Sequence, residues 1–204
     1  MSIYALKPKF QNLLRPLVRL LYRLGVTANQ VTVFAALVSV AIGLGLFWVT
    51  SPRICFLAIP IWFFLRMALN AIDGILAREF GQQSRLGAYL NELTDVISDS
   101  AMYLPFALIA PFSGFWIGTI IVLAAMTEMT GVLGQVIGRT RQYQGPMGKS
   151  DRAFVFGALG LAVAIWPTLP AWLGWLQVLL VVSLGWTVCR RIRAGLNDQA
   201  QTLT

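Results

Sequence analysis

Apolar runs about 20 residues long recur along this chain, and they constrain its fold more than any other feature. A helix rises ~1.5 Å per residue, so such a run crosses a hydrocarbon core about 30 Å thick. The chain is 57% hydrophobic and only 12% charged, more apolar sequence than a soluble basic domain of 204 residues would carry. These features predict an all-α integral membrane protein with a single domain over residues 1–204. Six spans are expected, roughly Val31–Val49, Ile54–Arg78, Leu86–Ala110, Gly114–Ile137, Ala153–Trp166 and Ala171–Cys189. They form a six-transmembrane-helix bundle over residues 31–189, in which the third span is polar in its first half and the fifth is short.

Residues 1–25 read differently. Lys7, Lys9, Arg15, Arg19 and Arg23 interrupt Phe10, Leu13, Leu14, Leu17, Val18, Leu20, Leu21 and Leu24. This pattern predicts an amphipathic interfacial helix, with Pro16 near its start or at a kink. It lacks the clean apolar core and small-residue cleavage site of a signal peptide. Thr27 or Asn29 is a suitable cap for the first span.

The basic residues predict an orientation. With both termini cytoplasmic, fourteen of the sixteen Lys and Arg residues lie on the cytoplasmic side, Arg53 lies outside and Arg66 falls within the second span. Trp48, Trp116, Trp166, Trp172 and Trp175 then gather at the outer ends. The expected location is a bacterial inner membrane. The net charge of +8 is assigned to lipid headgroups, with no nucleic-acid partner. Cys55 and Cys189 fall at opposite faces, too far apart to bridge within one chain. The absence of His excludes His-based catalysis and His-ligated metal.

Against this apolar background, Asn70–Asp99 holds Asp73, Glu79, Glu92, Asp95 and Asp99, five of the chain's eight acids. A carboxylate at membrane depth costs several kcal/mol unless it is paired or binds an ion. At about 100° per residue, Asn70, Asp73, Gly74 and Ala77 share one helix face. On the next helix, measured from Asn91, Asp95 lies near ~40°, Asp99 near ~80° and Glu92 near ~100°. Two helices joined by a turn at Glu79–Ser84 can therefore face each other with oxygen ligands between them. Such oxygens suit a hard cation, Mg²⁺ or Mn²⁺.

The segment reads Asn70-x2-Asp73-Gly74-x2-Ala77-Arg78-x8-Gly87-x3-Asn91-x3-Asp95. In spacing it resembles the signature of the CDP-alcohol phosphotransferases, D-x2-D-G-x2-A-R-x8-G-x3-D-x3-D. Asn70 and Asn91 depart from it, since the family has Asp there. The resemblance implies a membrane transferase. A CDP-linked donor, such as CDP-diacylglycerol, gives a phosphatidyl or phospho-alcohol group to an acceptor alcohol and releases CMP, in phospholipid synthesis. It also implies Mg²⁺ or Mn²⁺ and a homodimer.

By the same resemblance, Asp95 is the general base on the acceptor hydroxyl. Asn70, Asp73, Asn91 and Asp95 are the metal ligands. Asp73, Gly74, Ala77, Arg78 and Gly87 face the nucleotide, while Asn29 and Thr32 match an Asn-x-x-Thr motif that faces the same site. Arg78 serves either a phosphate or the negative end of its helix. Lys149 and Arg152, at a Gly-rich loop opening the fifth span, are candidates for gripping a substrate phosphate. Each Asp-to-Asn departure removes one negative charge, so Glu92 or Asp99 is expected to compensate. The bland alternative pairs Glu92 with Arg85. Glu128, deep in the fourth span, is expected to pair with Arg66 or line a polar cavity. Gly114-x3-Gly118 and Gly134-x3-Gly138 are read as packing motifs.

Two other classes remain open on the sequence. Asn70 and Asn91 suit a degenerate family member that binds nucleotide or lipid without catalysis. Intramembrane acids also suit a small ion-coupled transporter, but repeat symmetry and broken helices are not visible.

Overall fold

The computed structural model describes residues 6–49 and 53–197. The first five residues of the expected amphipathic segment and the tail beyond residue 197 lie outside the described residues, as do residues 50–52. Everything regular among the described residues is helical: α1 (Leu6–Arg23), α2 (Ala28–Trp48), α3 (Ala58–Glu79), α4 (Arg85–Tyr103), α5 (Gly114–Val136), α6 (Lys149–Ile165) and α7 (Trp175–Asn197). Short 3₁₀ turns lead into α3 at Arg53–Leu57, follow α4 at Leu104–Leu108 and lead into α7 at Ala171–Gly174.

The helix boundaries follow local chemistry. Gly25, at φ +77°, ends α1. Its amide meets the Tyr22 carbonyl at 3.0 Å and the Val26 amide meets the Leu21 carbonyl at 3.0 Å, a Schellman closure. Thr27 then caps α2 in a capping box with Gln30. Ser84 caps α4, accepting from the Gly87 amide at 2.9 Å. Asp151 caps α6 through the Gly148 amide at 2.9 Å. Pro16 sits inside α1 rather than near its start.

Four segments are long and apolar enough to cross a membrane: Ala28–Trp48, Arg53–Glu79, Gly114–Val136 and Ala171–Asn197. The two remaining expected spans fall short for the reasons visible in the sequence. α4 carries Glu92, Asp95 and Asp99, and α6 is only 17 residues long. The chain is thus an all-helical membrane protein.

The main apolar core joins α3, α4, α5, α6 and α7 around Phe56, Ile59, Tyr103, Phe106, Ile120, Phe156 and Leu184, all fully buried. Tyr103 stacks on Phe156 with ring centroids 3.8 Å apart. A smaller core seats α1 on α2 and α3 through Val18, Val31, Ile72, Ile75 and Leu76. α2 and α4 approach closely at Gly43, where any side chain would run into the Ala101 backbone. The glycines of α5 do not pack its helix against another within the chain. Gly114 and Gly118 face open space. Gly131 and Gly134 admit the loop after α5, whose Gln142 and Thr140 carbonyls would lie 2.8 Å from an added Cβ in each case.

Candidate functional site

The site forms between α3 and α4, which both pack on α2 and are bridged by Arg66, beside the start of α6. Asp73, on α3, is 7% exposed. The Thr32 hydroxyl of α2 lies 2.8 Å from its Oδ2 and 3.1 Å from the Ala28 carbonyl, so its one proton serves one acceptor at a time. Asp95, on α4, is flanked by two cations. Arg66 Nη2 donates to Oδ1 at 3.0 Å, and Lys149 Nζ lies 2.5 Å from Oδ2. Asp73 lies within electrostatic range of both Asp95 and Lys149. Asn70 is half-buried on α3 and Asn91 is exposed on α4.

The small residues of the signature are met by neighbouring side chains. A Cβ on Gly74 would meet the Arg78 guanidinium at 2.7 Å, so Arg78 folds back along α3 over that glycine. A Cβ on Gly87 would meet Asn29 Oδ1 at 2.8 Å and Ser84 Oγ at 3.0 Å. Gly87 thereby lets α2 bring Asn29 against the start of α4. Ala77 packs against the smaller core. Gln82 accepts from the Ala28 amide at 2.7 Å and ties the α3–α4 turn to the foot of α2.

Beneath the seam lies a network of buried charges. Arg66 Nη1 donates to Asp99 Oδ1 at 2.5 Å. Arg152, 1% exposed, donates from Nη2 to Asp99 Oδ2 at 3.1 Å and to Glu128 Oε1 at 2.9 Å, and from Nη1 to Thr127 Oγ1 at 3.0 Å. The Tyr103 hydroxyl donates to Asp99 Oδ2 at 3.2 Å. Arg141, from the loop after α5, donates to Glu128 Oε2 at 3.0 Å and pairs with Glu92. Arg191 of α7 donates to the Thr127 carbonyl and lies 3.8 Å from Glu128 Oε2. Carboxylates at this depth stand only when guanidiniums answer them, and removing one partner leaves an uncompensated charge.

Several expectations change in this light. Arg152 is not available to a substrate phosphate, because both its Nη groups are committed inside the bundle. Lys149 reaches Asp95 instead of an open anion-binding face. Asp99 and Glu92, expected to add charge to a cation site, are held by Arg66 and Arg152 and by Arg141 respectively. Glu92 thus meets Arg141 rather than Arg85, and Glu128, expected on Arg66 or lining a polar cavity, pairs with Arg141 and Arg152. Arg141 and Arg191 close the network and were legible only as part of the cytoplasmic charge bias. The available signal was a polar pair, Thr127-Glu128, inside an apolar run, which needs a cation from elsewhere.

Among the described residues, no three Cys, Asp or Glu side chains are grouped to hold a metal ion. The seam instead offers two carboxylates, Asp73 and Asp95, and two amide oxygens, Asn70 and Asn91. These are hard oxygen donors of the type Mg²⁺ and Mn²⁺ take.

Comparison with known proteins extends this geometry. A family model for CDP-alcohol phosphatidyltransferases matches residues 25–183. The chain is similar to the inner membrane protein YnbA of Escherichia coli, 47% identical over 201 residues, covering 98% of this chain and all of that one. It is also similar to the phosphatidylinositol phosphate synthase of Mycobacterium marinum, 38% identical over 96 residues, which span 46% of this chain and 38% of the synthase. Among solved structures, it resembles the Mycobacterium tuberculosis phosphatidylinositol phosphate synthase with CDP-DAG bound, with a TM-score of 0.73 and 25% identity, over 88% of this chain and 92% of that one. The same enzyme in complex with manganese and citrate shares the fold, with a TM-score of 0.72 over 88% of this chain. With the family match running through the α3–α4 seam and most of the helices around it, the chain belongs to the CDP-alcohol phosphatidyltransferase family.

Proposed function

We propose that this protein transfers a phosphatidyl or related phospho-alcohol group from a CDP-linked lipid, of the CDP-diacylglycerol type, to an acceptor alcohol. The observation that carries the reading is the pair Asp73 and Asp95, held on consecutive helices at the signature spacing, with Asn70 and Asn91 one turn before them. Gly74 and Gly87 are nucleotide-facing positions in this reading; Arg78 lies over the first and Asn29 against the second, so a nucleotide would meet these polar groups there.

Asp73, Asp95, Asn70 and Asn91 would hold Mg²⁺ or Mn²⁺, which supplies positive charge to the donor's pyrophosphate and the departing CMP. Thr32 fixes the orientation of the Asp73 carboxylate. Asp95 takes the proton of the acceptor hydroxyl. The acceptor oxygen forms a new bond to the phosphorus bearing the lipid, the bond from that phosphorus to the bridging oxygen breaks, and its electron pair leaves with CMP. The buried arginines keep Asp99 and Glu128 satisfied, so α3, α4, α5 and α6 hold their positions around the seam.

The membrane arrangement belongs to the same proposal. Six helices cross, α1 lies in the interface, and both termini and the site opening are cytoplasmic. Leu86, Tyr89, Leu93 and Ile97 form an exposed apolar stripe on α4 that supports its contact with lipid or with a second copy in a homodimer. The test is CMP release by purified protein given CDP-diacylglycerol, Mg²⁺ or Mn²⁺, and a panel of inositol, glycerol and amino-alcohol acceptors. CMP release that needs both metal and one acceptor class supports the reading; release with none contradicts it.

A second reading has its own support. Neutral Asn70 and Asn91, together with Arg66 and Lys149 on Asp95, suit a protein that binds nucleotide or lipid without transfer. Metal-dependent CDP binding without CMP release under any acceptor distinguishes it.

A further inference from the structure

Asp95 carries one negative charge and has a cation on each oxygen. The two cations are not equivalent. Arg66 is 4% exposed and is fixed by three contacts, to Asp99 Oδ1 at 2.5 Å, to the Asp95 main-chain carbonyl at 3.2 Å and to Asp95 Oδ1 at 3.0 Å. Lys149 has its side chain 33% exposed, sits at the first turn of α6 beside Gly148, and touches Asp95 through the end of a flexible four-carbon stem. Of the two, only Lys149 can leave without breaking the buried network.

Its position determines what its departure does. With Arg66 set against Asp99 and Arg152 against Glu128, the remaining charges are the two negative ones of Asp73 and Asp95, and Asn70 and Asn91 carry none. With the Lys149 ammonium in place, the net charge of the group falls to minus one, too little to balance a divalent ion. With the ammonium withdrawn, the two carboxylates balance one such ion. An ion on Asp95 Oδ2 would lie only a few ångströms from Nζ, and like charges at that range in a partly buried site repel strongly.

We propose that Lys149 is a tethered cation that competes with a divalent metal ion for Asp95, so that binding of the ion displaces the ammonium toward the phosphate of a bound substrate. The proposal rests on the metal-dependent reading above. The displaced ammonium carries a positive charge on a mobile stem at the site mouth, and an anionic phosphate is the chemical group that receives it. Because the ion and the anion both favour the displaced position, each strengthens the binding of the other by the same factor. Lys149 would then couple the two ligands and keep Asp95 neutralised while the site is empty.

The test uses the full chain purified in detergent, with free Mn²⁺ followed by electron paramagnetic resonance during titration. The parent, Lys149→Met and Lys149→Arg are compared without nucleotide, and binding of CDP is measured separately in each. Lys149→Met is expected to bind Mn²⁺ about tenfold more tightly than the parent, within the usual range for coupled sites. Lys149→Arg, which keeps a cation there, is expected to stay near the parent. Lys149→Gln repeats the neutral substitution with a polar side chain, so that a folding defect in the Met variant leaves the comparison intact. Equal Mn²⁺ affinity in the parent and both neutral variants, with CDP binding retained, overturns the competition and leaves the transferase reading standing. No Mn²⁺ binding in any variant overturns both.

Discussion

Arg66 and Asp99 meet at 2.5 Å between α3 and α4, and the same guanidinium reaches Asp95, one helical turn earlier, through its other amino group. One buried arginine thus ties the structural acid of the network to the candidate catalytic acid of the seam. Its removal is expected to leave Asp99 short of a partner. Arg66→Met should lower stability by about 3–5 kcal/mol, as for other broken buried pairs. In the double variant Arg66→Met, Asp99→Leu, part of that loss should return, because neither charge is left alone. Thermal denaturation in detergent measures both. A double variant as unstable as the sum of the singles would show that the pair is not the relevant unit.

Thr32 reaches Asp73 from a third helix, α2. Thr32→Val keeps the shape of the side chain and removes the hydroxyl. The expected result is a roughly tenfold fall in CMP release, the kinetic equivalent of about one hydrogen bond, with little change in melting temperature. Unchanged CMP release would show that Asp73 does not need this support.

Gly43 tests the packing that carries α2 against α4. Gly43→Val places atoms where the Ala101 backbone lies. It is expected to destabilise the bundle by about 1–3 kcal/mol, the usual range for overpacking, whereas Gly45→Val, where an added Cβ meets open space, should not. Melting curves of the two variants should therefore separate clearly.

What the sequence discloses here depends on distance along the chain. The cap at Thr27 and the apolar runs of α2, α3, α5 and α7 are local patterns, and they appear where the residues place them. α4 is harder, because its acids are answered by residues 29 to 54 positions away, and hydropathy sees only the acids. Which arginine answers which acid depends on how the loop after α5 folds back over Gly131 and Gly134. That is tertiary information, so the sequence alone reads Arg141 and Arg191 as ordinary cytoplasmic charge and Arg152 as a substrate contact. The α3–α4 signature is legible because its spacing is short and its residues lie on consecutive helices.

The orientation of the chain is a separate prediction. Reporter fusions at residues 1 and 204 are expected to give cytoplasmic signals at both ends, from the distribution of basic residues. A signal from the opposite face at either end would contradict an even number of crossings or reverse the side on which the site opens.

The role of Asp95 is the centre of the account, and one paired measurement reaches it directly. Purified parent and Asp95→Asn protein are assayed for CMP release from CDP-diacylglycerol and, in the same preparations, for metal-dependent CDP binding. If Asp95 takes the acceptor's proton, Asp95→Asn should lose about 10²–10⁴-fold in transfer and a smaller factor in metal-dependent CDP binding, because Asp73 and the Asn amides still face the ion. An Asp95→Asn protein that releases CMP at the parent's rate would contradict the assignment.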